Sequence, residues 1–94
     1  MAEIHTEFTD KLMDAVLLLK DKDEAYAFFD DLCTINELQD LGKRLEAAKM
    51  LEAGMNYQQI SKKLGISTAT ISRVSKCLNY GTGGYKRMLR KTKG

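Results

Sequence analysis

The residues of this chain best suited to recognition chemistry lie between Ser67 and Lys76. Ser67, Thr68, Ala69, Ser72, Arg73 and Lys76 share one outward face of a segment read as helical. Small hydroxylated residues let a backbone come close to a groove floor, and Ala69 or a threonine methyl can touch thymine. Arg73 and Lys76 can reach guanine or phosphate oxygens. Gln58 and Lys62, on the segment before it, complete the expected DNA-facing set. No acidic residue occurs from Ala53 to Gly94. A face that served only solubility would mix both charge signs, so the pattern points to a polyanion.

Other chemistries find little support. Asp30 and Asp31 are adjacent carboxylates without the partners that acid–base catalysis needs, and read as a solvated face. There is no nucleophile–base pairing and no phosphate loop, so no enzyme activity is expected. Cys33 and Cys77 are far apart, lack metal-type spacing, and are expected to be small buried hydrophobes. His5 is the single histidine and is read as neither ligand nor base. No metal and no cofactor are expected, and no small-molecule effector can be named.

The elements that position the recognition residues run from Asn56 to Leu78. Asn56 caps a helix, with Gln59 three residues on as an amide version of the capping box. Ile60 and Leu64 share a face, and Gly65 ends the helix in the left-handed region. Ile66 returns to the core and Ser67 caps a second helix that buries Ile71, Val74 and Leu78. This is the pattern of a helix-turn-helix, which lays its second helix in the DNA major groove.

Upstream, one helix is expected from Thr6 to Lys20, with a stripe of Phe8, Leu12, Val16 and Leu19 widened by Met13, Leu17 and Leu18. So broad an apolar surface in a short chain calls for a second subunit. Asp23 is expected to cap a helix from Glu24 to Cys33, with Tyr26, Phe29 and Leu32 inward. Thr34-Ile35-Asn36-Glu37 opens a third helix as a capping box, and Ile35, Leu38, Leu41, Leu45, Ala48 and Leu51 form its stripe up to Gly54. Asp40 and Arg44, four apart, suggest a surface ion pair. Asn79–Gly84 reads as a loop, and Tyr85–Lys93 as a basic segment that Tyr85, Met88 and Leu89 could dock as a final helix or that could instead be a loose phosphate-contacting tail; a docked turn or two followed by disorder is expected.

The 94 residues therefore read as one all-α domain: 1–54 core and dimerisation helices, 55–79 the helix-turn-helix, and 80–94 a loop with a basic end. Residues 1–40 carry eleven acidic and three basic side chains, a net of −8, whereas residues 41–94 carry twelve basic and two acidic, a net of +10. One half repels a polyanion and the other attracts it. No signal peptide and no apolar run near the roughly 20 residues of a membrane span are evident, so a cytoplasmic location and no membrane partner are expected.

The segment from Cys33 to Leu78, with CTINELQDLGKRLEAAKMLEAGM and then STATISRVSKCL, resembles the tryptophan repressor superfamily. The combination of LCTINE, KRLE, TATISR and CLNYG looks still closer to its YerC/YecD-type branch of TrpR-like proteins. The resemblance implies an intertwined helical homodimer presenting two recognition helices to an operator of two-fold symmetry, with half-sites about 34 Å apart. It also implies a ligand pocket: Arg44 and Arg73 match the two arginines that sandwich the indole of tryptophan, and Thr34 and Thr70 match its threonines. Val74 stands where the repressor has glycine, and Cys77 where it has the serine that receives the ligand's amino group. A β-branched side chain fills the space for the ring, and a thiol is a weak hydrogen-bond partner. Tryptophan is thus not the expected ligand.

The expected function is a dimeric, sequence-specific transcriptional regulator of double-stranded DNA, repressor-like. The alternative is a protein-interaction module that keeps the helix-turn-helix fold but docks an acidic partner instead.

Overall fold

The computed structural model describes residues 4–93. Its elements are α1 (Glu7–Leu17), α2 (Lys22–Leu32), α3 (Ile35–Glu52), α4 (Tyr57–Leu64), α5 (Thr68–Tyr80) and α6 (Gly84–Lys93), with no strand among the described residues. The all-α class expected from the helical periodicities is what is observed. None of the helices is long and apolar enough to cross a membrane. The chain divides into two compact units, one ending at Ile35 and the other beginning at Asn36.

In the first unit, Thr6 and Thr9 form a reciprocal capping box at the start of α1. The helix ends at Leu17 rather than Lys20, because the N–H groups of Leu18 and Leu19 turn to the carbonyls of Ala15 and Val16. Asp21, not Asp23, caps α2: its carboxylate accepts the Glu24 amide at 2.8 Å. Asp21 has the extended backbone that a cap requires, and the Glu24 carboxylate reaches back to the Lys20 amide at 3.0 Å. Asp23 and Glu24 occupy the first turn instead, where they meet the positive end of the helix dipole. Phe28 and Phe29 meet edge to face, with centroids 5.6 Å apart.

Much of the apolar surface expected to be inward is open in the single chain. Phe8, Leu17 and Leu18 are about four-fifths exposed, and Tyr26 and Leu32 are also exposed. The stripe expected on α3 is covered only toward its end. Ile35, Leu41 and Leu45 are exposed, while Ala47, Ala48 and Met50 are buried. Ala47 and Met50 lie beside the expected stripe because α4, α5 and α6 cover the flank of α3 that they share with Ala48 and Leu51.

The core of the second unit gathers Ala47, Ala48 and Met50 of α3, Ile60 of α4, Ile71 and Val74 of α5, and Leu89 of α6. Leu51, Met55, Leu64, Ile66 and Tyr85 pack around it. The basic segment at the end of the chain forms a helix of ten residues rather than a turn or two. Leu89 is buried and Tyr85 half-buried, four apart on one face, whereas Met88, also expected to dock, is exposed.

Candidate nucleic-acid interface and an adjoining pocket

The paired helices α4 and α5 are fixed by local chemistry at each end. The Asn56 side chain accepts the Gln59 amide at 2.8 Å, and the Gln59 side chain accepts the Asn56 amide at 3.0 Å. Gly65 closes α4 at φ 68° and ψ 33°, and its N–H reaches the Ser61 carbonyl at 2.8 Å. A side chain in that left-handed conformation would be strained. The Ser61 hydroxyl then donates to the Ile66 carbonyl at 2.6 Å, holding the turn against α4. Ser67 caps α5, its hydroxyl accepting the Thr70 amide at 3.1 Å and lying 3.0 Å from the Thr70 hydroxyl. At the far end, a Cβ on Gly81 would collide with the Cys77 carbonyl, so only glycine fits there.

With Ile71, Val74 and Leu78 buried, α5 turns its opposite face outward. Ser67, Thr68, Ala69, Ser72, Arg73 and Lys76 are all exposed there, as are Gln58 and Lys62 on α4. The first turn of α5 carries no acidic residue. Among the described residues no ion pair involves Lys62, Arg73 or Lys76. This surface can hydrogen-bond, approach closely and carry uncompensated positive charge at once. The Ser67 hydroxyl is the exception, since the cap already occupies it.

Beside this face lies a pocket of about 190 Å³ lined by Arg44 of α3, Thr70, Arg73, Val74 and Cys77 of α5, and Tyr85 of α6. A second hollow of about 220 Å³ continues past Arg44 and Thr70 to Asp40, Gly65, Ile66 and Ser67. Arg44, Thr70 and Arg73 therefore come together, while Thr34 belongs to the other compact unit. Asp40 and Arg44 form no ion pair among the described residues. Both line the second hollow.

Cys77 is exposed and borders the pocket, contrary to the expectation of a buried hydrophobe. The helix buries its neighbour Leu78, and one step of about 100° around the axis carries Cys77 off that face. Cys33 is half-buried. His5 is exposed and lies 3.9 Å from the Asp10 carboxylate. Tyr85 is a pocket residue that sequence reasoning treated only as a docking contact. Burial pushes its phenol above the ordinary value of 10.0; the nearby Cys77 adds to that rise, and Arg44 and Arg73 pull it back. The one sequence signal for it was an aromatic residue opening a basic amphipathic segment.

Residues 7–93 match the family described as Trp repressor protein. The chain belongs to the Trp repressor family. It is 55% identical over 84 residues to the uncharacterised protein YerC of Bacillus subtilis (strain 168), a match spanning 89% of this chain and 81% of YerC. A crystal structure of a TrpR-like protein from Eubacterium eligens superposes with a TM-score of 0.89 at 51% identity, over 94% of this chain and 91% of that one. A Staphylococcus aureus structure, provisionally described as a Trp repressor, gives 0.89 at 44% identity over 96% and 90% of the two chains. The resemblance seen in LCTINE, KRLE and TATISR is thus a membership.

Proposed function

We propose that this chain is a DNA-binding transcriptional regulator, repressor-like, that acts as a homodimer on an operator of two-fold symmetry. The observation that carries the reading is the outward face of α4 and α5, where Gln58, Lys62, Thr68, Ala69, Ser72, Arg73 and Lys76 are exposed together around a helix braced from behind by Ile71 and Val74. Membership of the Trp repressor family supports it. Positive residues supply affinity for phosphate, and the small polar residues of α5 read base edges.

The exposed Phe8, Leu17, Leu18, Ile35, Leu41 and Leu45 support a second subunit, since monomers rarely leave so many large apolar side chains in water. Two copies would offer α5 twice, about 34 Å apart.

Tryptophan is not the effector in this reading. Val74, only 2% exposed, is wedged at the pocket wall. A β-branched side chain there occupies the space that a flat ring would need. No cofactor and no catalytic role are assigned.

The deciding experiment is selection of bound sites from random duplexes, then titration of the winning site against salt with non-specific competitor present. Steep salt dependence with a recovered palindrome supports the regulator. Equal binding to all sequences, or none, overturns it, and capture of an acidic protein instead would favour an interaction module.

A further inference from the structure

Helix α6 has two unlike sides. Tyr85 and Leu89 dock it on the core of the second unit. Lys86, Arg87, Arg90 and Lys91 are exposed, and none has an ion pair or a side-chain hydrogen bond among the described residues. Their spacing is unfavourable by itself. Lys86 and Arg90 stand four apart, as do Arg87 and Lys91, and Arg87 and Arg90 stand three apart, so like charges face each other along the helix. Lys86 and Arg87 also sit in a first turn that holds no acidic residue, against the positive end of the helix dipole. Nothing from Ala53 onward offsets them.

Four cations within about 7.5 Å along a helix axis form an array suited to a dense, regular line of negative charge. Duplex DNA carries one such charge per roughly 1.7 Å. The array begins next to Tyr85, which lines one pocket with Arg73 of the proposed recognition surface.

We infer that the outward face of α6 is a second nucleic-acid contact, in which Lys86, Arg87, Arg90 and Lys91 hold the sugar–phosphate backbone flanking the bases read by α5. The inference rests on the DNA-binding reading above and extends its surface beyond the recognition helix. These contacts add affinity and set orientation without reading sequence. The competing occupant is the acidic stretch of a second copy, whose first forty residues carry a net −8.

The test replaces all four residues (Lys86→Gln, Arg87→Gln, Arg90→Gln, Lys91→Gln) in the full chain. Affinity for the selected site is measured across salt concentrations, in duplexes with short and with long flanks. Removing like charges should leave the thermal midpoint unchanged or higher, which controls for folding. The expected result is that the parent gains affinity from long flanks and the variant does not. The variant's log K against log salt slope should flatten by about 0.9 for each phosphate it no longer neutralises, roughly 3–4 per copy, with base preference unchanged. Equal slopes and equal flank gains overturn the inference. A variant that falls to monomers in sedimentation and binds both duplexes equally weakly also overturns it, and gives α6 to the acidic residues of a second copy. A parent with no salt-dependent DNA binding overturns the regulator reading and this extension together.

Discussion

The Ser61 hydroxyl donates a 2.6 Å hydrogen bond to the Ile66 carbonyl, tying the body of α4 to the residue that leads into α5. The bond crosses the left-handed Gly65 and is partly buried, so it fixes the angle at which α5 leaves the turn. Replacing Ser61 with alanine removes the donor and leaves the carbonyl short of a partner. Ser61→Ala should cost about 1 kcal/mol of unfolding free energy, read from urea denaturation. It should also weaken operator binding by more than stability-matched control substitutions do. Unchanged stability would remove this bond from the account of the turn.

The brace behind α5 is a packing effect of larger size. Ile71 is fully buried in the core cluster that also holds Ala47, Ala48, Met50, Ile60, Val74 and Leu89. Ile71→Ala deletes three heavy atoms there and should lower stability by about 2–5 kcal/mol. That is a large part of the roughly 5–15 kcal/mol typical of a small domain. Denaturant midpoints of parent and variant check it; a drop under about 1 kcal/mol would mean the site collapses readily.

How far the sequence foretold these features depended on whether the signal was local. The Asn56–Gln59 box, the Gly65 stop, the Ser67 cap and the buried Ile71, Val74 and Leu78 were all legible, because each is set by neighbours within four residues. Arg44, Thr70 and Arg73 were grouped only through the family resemblance, since no periodicity on one helix links α3 to α5. On α3, Leu41 and Leu45 of the expected stripe are open in the single chain, because an apolar stripe marks a face to be covered without saying which subunit covers it. Asp21 and Asp23 were equally good caps by type, and the choice lay in backbone angles invisible to composition. Tyr85 was missed as a pocket residue because its role depends on α3 and α5, more than a turn away in sequence.

Tyr85 makes stability depend on alkaline pH. Its folded pKa is raised above 10.0 chiefly by burial, so the folded state holds the phenol proton where the unfolded state has released it. That contribution is fully present below the unfolded value and is lost as pH rises through the folded one. The parent should therefore lose more stability than Tyr85→Phe as pH is raised past 10.0. Removing the Arg44 charge with Arg44→Met should raise the phenol further, seen as a later phenolate step in ultraviolet absorbance. Parallel stability curves for parent and Tyr85→Phe would contradict the assignment.

Arg73 lies both on the outward face of α5 and at the pocket wall. As a base reader it should be worth about 1–3 kcal/mol of binding and one position of sequence preference. Arg73→Ala, compared with the parent on every single-base variant of the selected site, separates the possibilities. Relaxed preference at one base pair marks direct readout, whereas an equal weakening on all sequences reduces Arg73 to a phosphate-binding role.

The pocket offers a gain-of-function test. Val74 is buried at its wall and Cys77 borders it. These are the positions where the family resemblance places glycine and serine. Val74→Gly removes the branched side chain from the ring's space, and Cys77→Ser supplies a stronger acceptor for an ammonium group. The double variant should bind free tryptophan, and the parent should not. Glycine within a helix and the missing methyls together should cost about 2–4 kcal/mol, so helical content is verified first by circular dichroism. The chain contains no tryptophan, which leaves the ligand's own indole fluorescence free of background in the titration. Tight binding by the parent would show that Val74 does not block the ring, while a folded double variant that still ignores tryptophan would place the barrier in Tyr85 and its surroundings.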